Sequence, residues 1–264
     1  MLTDTHCHLN LPEFKPDLDQ VIQTARETGL KKILVPGIDL ESSIQAVKLA
    51  DSYPGFIYAA VGIHPNYSTK DDHKYLNGLR ELLENPSVVA IGEIGLDYYR
   101  DFSEKDIQKK TFEFMLDLAA EFEKPVCIHQ RDSAEDVLEI LDRWKQGLLI
   151  SGSKLAKNPG VFHSFGGEDH IFSWAGKNDF YFGISGFITY KKSDALRSML
   201  GKIQKSRLLI ETDAPYITPE PYRGHRNEPS NVRFTAQKIT EVLQLSFETV
   251  SDITEENSTT LFGW

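Results

Sequence analysis

Cysteine is almost missing from this chain: Cys7 and Cys127 are the only two among 264 residues. Two thiols cannot form a disulfide framework, so the fold rests on its own core and the chain reads as a cytoplasmic one, from a reducing compartment. Long apolar runs are missing too. The longest, Phe56 to Ile63, is about eight residues, against the ~20 a membrane-spanning helix needs. Met1 leads straight into Thr3-Asp4-Thr5-His6, without a basic or apolar leader, so neither a secretory signal nor a membrane partner is expected. Positive charge is in deficit as well, with 29 Lys+Arg against 39 Asp+Glu and a net charge of −10. That balance excludes a general basic face that coats nucleic acid. It leaves nucleic acid possible only as a substrate, drawn to a local cationic site such as bound metal ions. No Ser/Pro/Gly-rich linker and no short repeat divides the chain, which points to a single domain over residues 1–264.

What remains is a regular alternation. Short β-branched and apolar runs lie near Leu2–His8, Lys32–Ile38, Phe56–His64, Val88–Asp97, Pro125–Arg131, Gly160–Phe165, Phe180–Gly186 and Arg207–Asp213. Amphipathic stretches follow them at Asp17–Thr28, Ser42–Ser52, His73–Glu84, Ser103–Phe122, Ala134–Lys145, Asp169–Lys177, Asp194–Ile203 and Asn231–Leu243. In the fourth, Phe112, Met115, Leu116 and Ala119 recur at three- and four-residue steps, the spacing of one buried stripe. Eight strand–helix pairs predict an all-parallel sheet closed into a (β/α)8 TIM barrel. An open doubly wound sheet is the rival, but no glycine-rich phosphate loop follows the first strand. Gln146–Pro159 reads as a surface insertion, and Ser246–Trp264 as one more helix packed on the outside.

The polar residues of interest fall at the carboxyl ends of the predicted strands, the face on which such barrels build active sites. In Asp4-Thr5-His6-Cys7-His8, strand alternation turns His6 and His8 to the same side, as a chelating pair or as two hydrogen-bonded core histidines. Glu93 and Asp97 share the inward face of the fourth strand, where a carboxylate is costly unless it is paired or metal-bound. A salt bridge to a neighbouring arginine is the alternative for each. His129, His163 and Asp213 end the fifth, sixth and eighth strands. Four histidines and two carboxylates from five strands amount to roughly the ligand count of two divalent ions, with positions left for water and substrate. Imidazoles favour Zn or a similar transition ion such as Mn, whereas carboxylates suit Mg.

The motifs DTHCHL, GIHP, GEIGLDYYRD, KPVCIHQRD, VFHSFGG, GISGFITYK and LLIETDAPYITPEPYRGHRNEP resemble the TatD family of metal-dependent deoxyribonucleases, within the amidohydrolase-like barrels. The resemblance runs from Leu2 to about Phe262. It implies that His6, His8 and Asp213 hold one metal ion and His129 and His163 the other, with Glu93 bridging them. It also implies that Asp213 takes the proton of the attacking water and that His64 stands on the substrate side.

The expected activity is a metal-activated hydroxide cleaving phosphodiester bonds of DNA, from a single strand or a 3′ end, with no obligate protein partner. Arg131, two residues past His129, could hold a phosphate or pair with Asp97 or Asp132. Arg223 and Arg226 could grip a nucleic-acid backbone or anchor the helix that follows. Tyr98 and Tyr99 could stack on a base. Two other readings use the same residues differently. One is an amide, ester or aminoacyl hydrolase with the same two metals; the other is a catalytically silent binding barrel.

Overall fold

The computed structural model describes residues 1–69, 72–100 and 102–264. Eight parallel strands form one sheet in the order of the sequence: β1 (Leu2–Asp4), β2 (Leu30–Pro36), β3 (Ile57–Val61), β4 (Val88–Asp97), β5 (Val126–Arg131), β6 (Gly160–Phe162), β7 (Tyr181–Ile184) and β8 (Leu208–Ile210). The sheet curls round so that the first and last strands meet. Thr5 N–H donates to Ile210 O at 3.1 Å, Asp213 N–H to His6 O at 2.8 Å and His8 N–H to Ala214 O at 2.8 Å. Between the strands run α1 (Leu18–Glu27), α2 (Leu40–Ser52), α3 (Leu76–Leu83), α4 (Lys105–Phe122), α5 (Ala134–Ser151), α6 (Asp169–Lys177), α7 (Asp194–Leu200) and α8 (Val232–Leu243), and α9 (Phe247–Phe262) ends the chain. This is the expected TIM barrel in a single domain. No helix among the described residues is long and apolar enough to cross a membrane.

Alternation along each strand divides the core into two layers. Ile33, Val35, Ile57, Ala59, Val61, Ile91, Val126 and Ile128 face the helices, where the α4 stripe of Phe112, Met115, Leu116 and Ala119 meets them. Leu34, Ala60, Ala90, Cys127, Val161, Tyr181 and Leu209 fill the barrel interior. The end of the chain joins this inner layer. Leu261 and Phe262 pack with it, and the Trp264 ring lies 5.0 Å from that of Tyr58 while its carbonyl accepts from Lys32 Nζ at 2.7 Å. The last helix therefore does not only lie on the outside: its tail plugs the amino-terminal end of the barrel. That frees the opposite end for chemistry.

The stretch 146–159 is not a loose insertion. α5 continues through it to Ser151 and stops at Gly152, whose φ of 70° suits a residue without a side chain. Leu148 keeps the buried helical spacing from Leu141 and Lys145, and a short 3-10 turn brings back Leu155 and Ala156 to pack on Leu148, Trp144 and Ala120. Because this segment links the end of α5 to the start of β6, it lies at the amino-terminal side of the strands, away from His163. Lys145, 4% exposed, staples it: Nζ donates to Ala156 O at 2.5 Å and to Asn178 O at 2.7 Å, with Asp179 at 3.6 Å. Burial holds this ammonium below the usual lysine range, against the pull of Asp179. Lys145→Ala strands two carbonyls and is expected to cost about 2–3 kcal/mol in chemical denaturation. A loss below about 0.5 kcal/mol, the scatter of ordinary surface substitutions, would mean that water replaces the staple.

Candidate metal centre

The upper rim is where strand regularity gives out. β1, β6 and β8 end one to three residues before His6, His163 and Asp213, and the chain continues in irregular turns. Ser164 and Asp213 adopt left-handed φ values of 45° and 56°. Side-chain parity nevertheless persists across the break, so that His129, His163 and Glu211 stand one layer above Cys127, Val161 and Leu209. Room is made by absent side chains. A Cβ on Gly183 would lie 2.3 Å from Glu211 Oε2, and one on Gly95 (φ 139°) would lie 2.0 Å from His129 O.

Glu93 is the hub, 3% exposed, and its two oxygens face different partners. Oε2 lies 3.4 Å from Nε2 of both His6 and His8. Oε1 lies 2.8 Å from His129 Nδ1, 2.9 Å from His163 Nε2 and 3.5 Å from His64 Nε2. Asp213 Oδ1 approaches the first pair, 3.7 Å from His6 Nε2 and 3.5 Å from His8 Nε2. The two Nε2 atoms of His6 and His8 are 3.1 Å apart, and His129 Nδ1 is 3.2 Å from His163 Nε2. Nitrogens at about 2.0–2.1 Å from one tetrahedral ion are separated by roughly 3.3 Å, so each pair is spaced as joint ligands are. Three groups of donors lie within reach of an ion: His6, His8 and Glu93; His6, His163 and Asp213; and His64, Glu93 and His129.

The electrostatics fit a cationic occupant. Burial works against charge on Glu93 and Asp213, yet the surrounding imidazoles hold Glu93 well below its usual range and Asp213 below its own. Burial pushes His6 down, with His163 adding to it. At His129 and His163 burial is outweighed, by Asp97 and Glu93 for the first and by Glu93 and Glu211 for the second, so both are raised. Glu93, Asp97 and Glu211 thus draw positive charge onto these two imidazoles against the effect of burial. Buried Nδ1 atoms of His6, His8 and His163 also lack a hydrogen-bond partner among the described residues. A donor set of four imidazoles and two ionised carboxylates suits divalent ions.

His64 belongs to the same cluster but not in the same capacity. Its Nδ1 accepts from Asn66 N–H at 3.1 Å, so the neutral ring carries its proton on Nε2, which faces Glu93. Burial lowers its pKa to about 3, which keeps it neutral. His64 is a hydrogen-bond donor at the edge of the centre. His129 shows the reverse arrangement: Nε2 lies 3.2 Å from Asp97 Oδ2, leaving Nδ1 to point inward. Asp97 also accepts from Asn66, Tyr99 N and Arg100 N, and pairs with no arginine among the described residues.

The cationic residues separate. Arg131 makes no ion pair with Asp97 or Asp132 among the described residues and lies over Tyr99, its guanidinium carbon 3.8 Å from the ring centroid. Arg223 lies over Tyr190 at 4.4 Å. Arg226 is engaged elsewhere: it forks onto both oxygens of Asp17 at 2.8 and 2.7 Å, reaches Glu228 at 2.9 Å and donates to Glu13 O at 2.7 Å. The expected phosphate grip is therefore corrected for Arg226, which anchors its loop to the start of α1. Tyr98 is likewise turned away, bonded to Asp136. Sequence reasoning passed over Glu211, which is fully buried, receives Ser164 N–H and stands 3.6 Å from His163 Nδ1. The signal was there: Glu211 precedes Asp213 by two residues and so shares its parity.

Comparison with known proteins agrees with this geometry. The chain matches the family described as TatD related DNase over residues 3–263. It is 40% identical over 262 residues to the Bacillus subtilis (strain 168) protein called uncharacterized metal-dependent hydrolase YabD, with 99% of each chain covered. Against the 3'-5' ssDNA/RNA exonuclease TatD of Edwardsiella piscicida it is 34% identical over 267 residues, again with 99% of each covered. The crystal structure of YjjV, a TatD homolog from Escherichia coli K12, superposes with a TM-score of 0.88 at 28% identity, covering 100% of this chain and 98% of its own. Agreement along the whole length, around a donor set suited to divalent ions, places the chain in the TatD family as a metal-dependent hydrolase.

Proposed function

We propose that the protein is a deoxyribonuclease that removes nucleotides from the 3′ end of a single DNA strand with two divalent ions. The observation that carries this reading is the two-sided Glu93 at a mouth where Arg131 has no carboxylate partner among the described residues. His6, His8 and Asp213 would hold one ion and His129 and His163 the other, with Glu93 available to both. Divalent ions bound there supply Lewis acidity and lower the pKa of water to about 7. Asp213 accepts the proton of the attacking water. Arg131 and Arg223 hold the phosphates beside the scissile one, and His64 donates a hydrogen bond from Nε2. The bond from phosphorus to the leaving nucleoside oxygen breaks, that oxygen takes up a proton, and the water oxygen stays on phosphorus. Zn or Mn suits the imidazoles, and Mg is the third candidate. The free thiols Cys7 and Cys127 support a cytoplasmic setting.

The test is hydrolysis of a 5′-labelled single strand by metal-stripped protein with Zn, Mn or Mg restored separately. A stepwise ladder is expected. Arg131→Ala should raise KM about tenfold, the worth of one charged hydrogen bond, while Arg226→Ala stays within about twofold. No cleavage with any ion, while metal analysis still finds ions bound, would overturn the nuclease reading in favour of amide or ester hydrolysis at the same centre.

A further inference from the structure

Exposed aromatic rings are distributed unevenly over this molecule. Among the described residues, Tyr67, Tyr99, Phe102, Phe187, Tyr216 and Tyr222 are exposed, and every one lies on a loop leaving the carboxyl end of a strand. Outside that rim, Phe247 is the one exposed aromatic side chain described. Ring faces left in water are unfavourable unless something covers them in use.

Two of the six touch the centre itself. Tyr67 follows β3 and meets His64 edge-on at 6.2 Å between centroids; Tyr216 follows β8 and meets His8 edge-on at 6.1 Å. An edge contact fixes a ring without covering its faces, and both tyrosines remain 51% exposed. They flank one centre: the imidazoles they touch, His64 and His8, stand at the two oxygens of Glu93, 3.5 Å from Oε1 and 3.4 Å from Oε2. A flat partner entering between them would lie over the metal ligands. Nucleobases have such faces, all four bases have them, and stacking on an aromatic ring does not depend on which base is present. In a duplex those faces are already occupied by neighbouring bases.

We propose that Tyr67 and Tyr216 form a stacking clamp for the terminal base of an unpaired strand and thereby position the adjoining phosphodiester at the centre. The proposal rests on the phosphodiesterase reading above. It makes the two tyrosines positioning residues that select frayed or single-stranded ends, whatever their sequence. Stacking needs the ring and not the hydroxyl, which separates this role from a hydrogen-bonding or catalytic one.

The experiment compares the metal-loaded protein with Tyr67→Ala, Tyr216→Ala and the two Phe variants on two short single strands, one normal and one whose terminal residue is abasic. For the unaltered protein the abasic end is expected to raise KM about tenfold, with kcat little changed. Each Ala variant should raise KM for the normal strand by a similar factor and leave the abasic strand unaffected, and both Phe variants should retain the original KM. Ala variants that leave KM alone, or raise it equally for both strands, would overturn the clamp while cleavage of both strands leaves the nuclease reading intact. If the unaltered protein cleaves neither strand with any ion, the nuclease reading fails and the clamp fails with it.

Discussion

Glu93→Gln is expected to remove hydrolysis and bound metal together. The substitution preserves volume, so the barrel interior has no reason to collapse around it, and what changes is charge and donor character. Glu93 presents one oxygen to His6 and His8 and the other to His129, His163 and His64. A glutamine amide offers one acceptor and one NH2 group, so whichever way it turns, one of the two imidazole groups faces a donor where it had an anion. A carboxylate that faces both groups therefore cannot be half replaced. The loss is several kcal/mol of charge stabilisation. At 1.36 kcal/mol per decade this corresponds to a rate lower by on the order of a thousandfold. Elemental analysis of the purified variant should show its metal content reduced in parallel. A variant that keeps its full metal content and runs within tenfold of the original would remove Glu93 from the hub of the site.

The same residue shows how far the sequence was legible. The two-residue period carries much of the information needed: inside β5 it puts Cys127 beneath His129, and just past the end of β1 it still pairs His6 with His8. The order of strands and helices is similarly open to reading, because amphipathic stripes such as that of α4 have a period unlike that of the strands. Legibility fades where the chain leaves regular geometry. Asp213 and Ser164 take left-handed backbone angles just beyond β8 and β6, so nothing in a periodicity argument fixes which way their neighbours point. Spacing left open whether Arg226 grips a nucleic-acid backbone or acts as an anchor, because its partners Asp17 and Glu13 are more than 200 positions earlier in the chain, brought close only when the barrel closes. The stretch after Lys145 looked like a loop because Gly147 and the Ser-Gly-Ser run mask a helical pattern that Leu148 continues. Trp264 gave no sign of plugging the barrel, since which end of a helix meets the interior is a tertiary fact. Glu211 and Asp97 are a different case. Both are carboxylates of the right parity, and what could not be read was their partner: each stands behind a histidine, His163 and His129, rather than beside Glu93 in the donor cluster.

Asp213→Asn separates chemistry from backbone geometry more cleanly than any other substitution in the centre. Asp213 holds φ at 56°, a conformation most side chains resist but asparagine tolerates about as well as aspartate. The exchange should therefore leave the turn after β8 in place, along with the hydrogen bond from Asp213 N–H to His6 O that ties the two ends of the sheet. An asparagine oxygen can still approach His6 and His8, so some metal is retained. What disappears is the ability to accept a proton. If Asp213 takes the proton of the attacking water, kcat falls by about 10²–10⁴-fold, the usual worth of a positioned general base, while the circular dichroism spectrum is unchanged. The effect should be concentrated in kcat, because Tyr67, Tyr216 and Arg131, the proposed substrate contacts, are untouched. Two results would refute the assignment. Loss of all bound metal with no measurable residual rate would make Asp213 a ligand first and a base second. A kcat within about tenfold of the original, with metal retained, would require the proton to leave by another route, and Glu93 is then the remaining buried carboxylate in contact with the His6 and His8 pair.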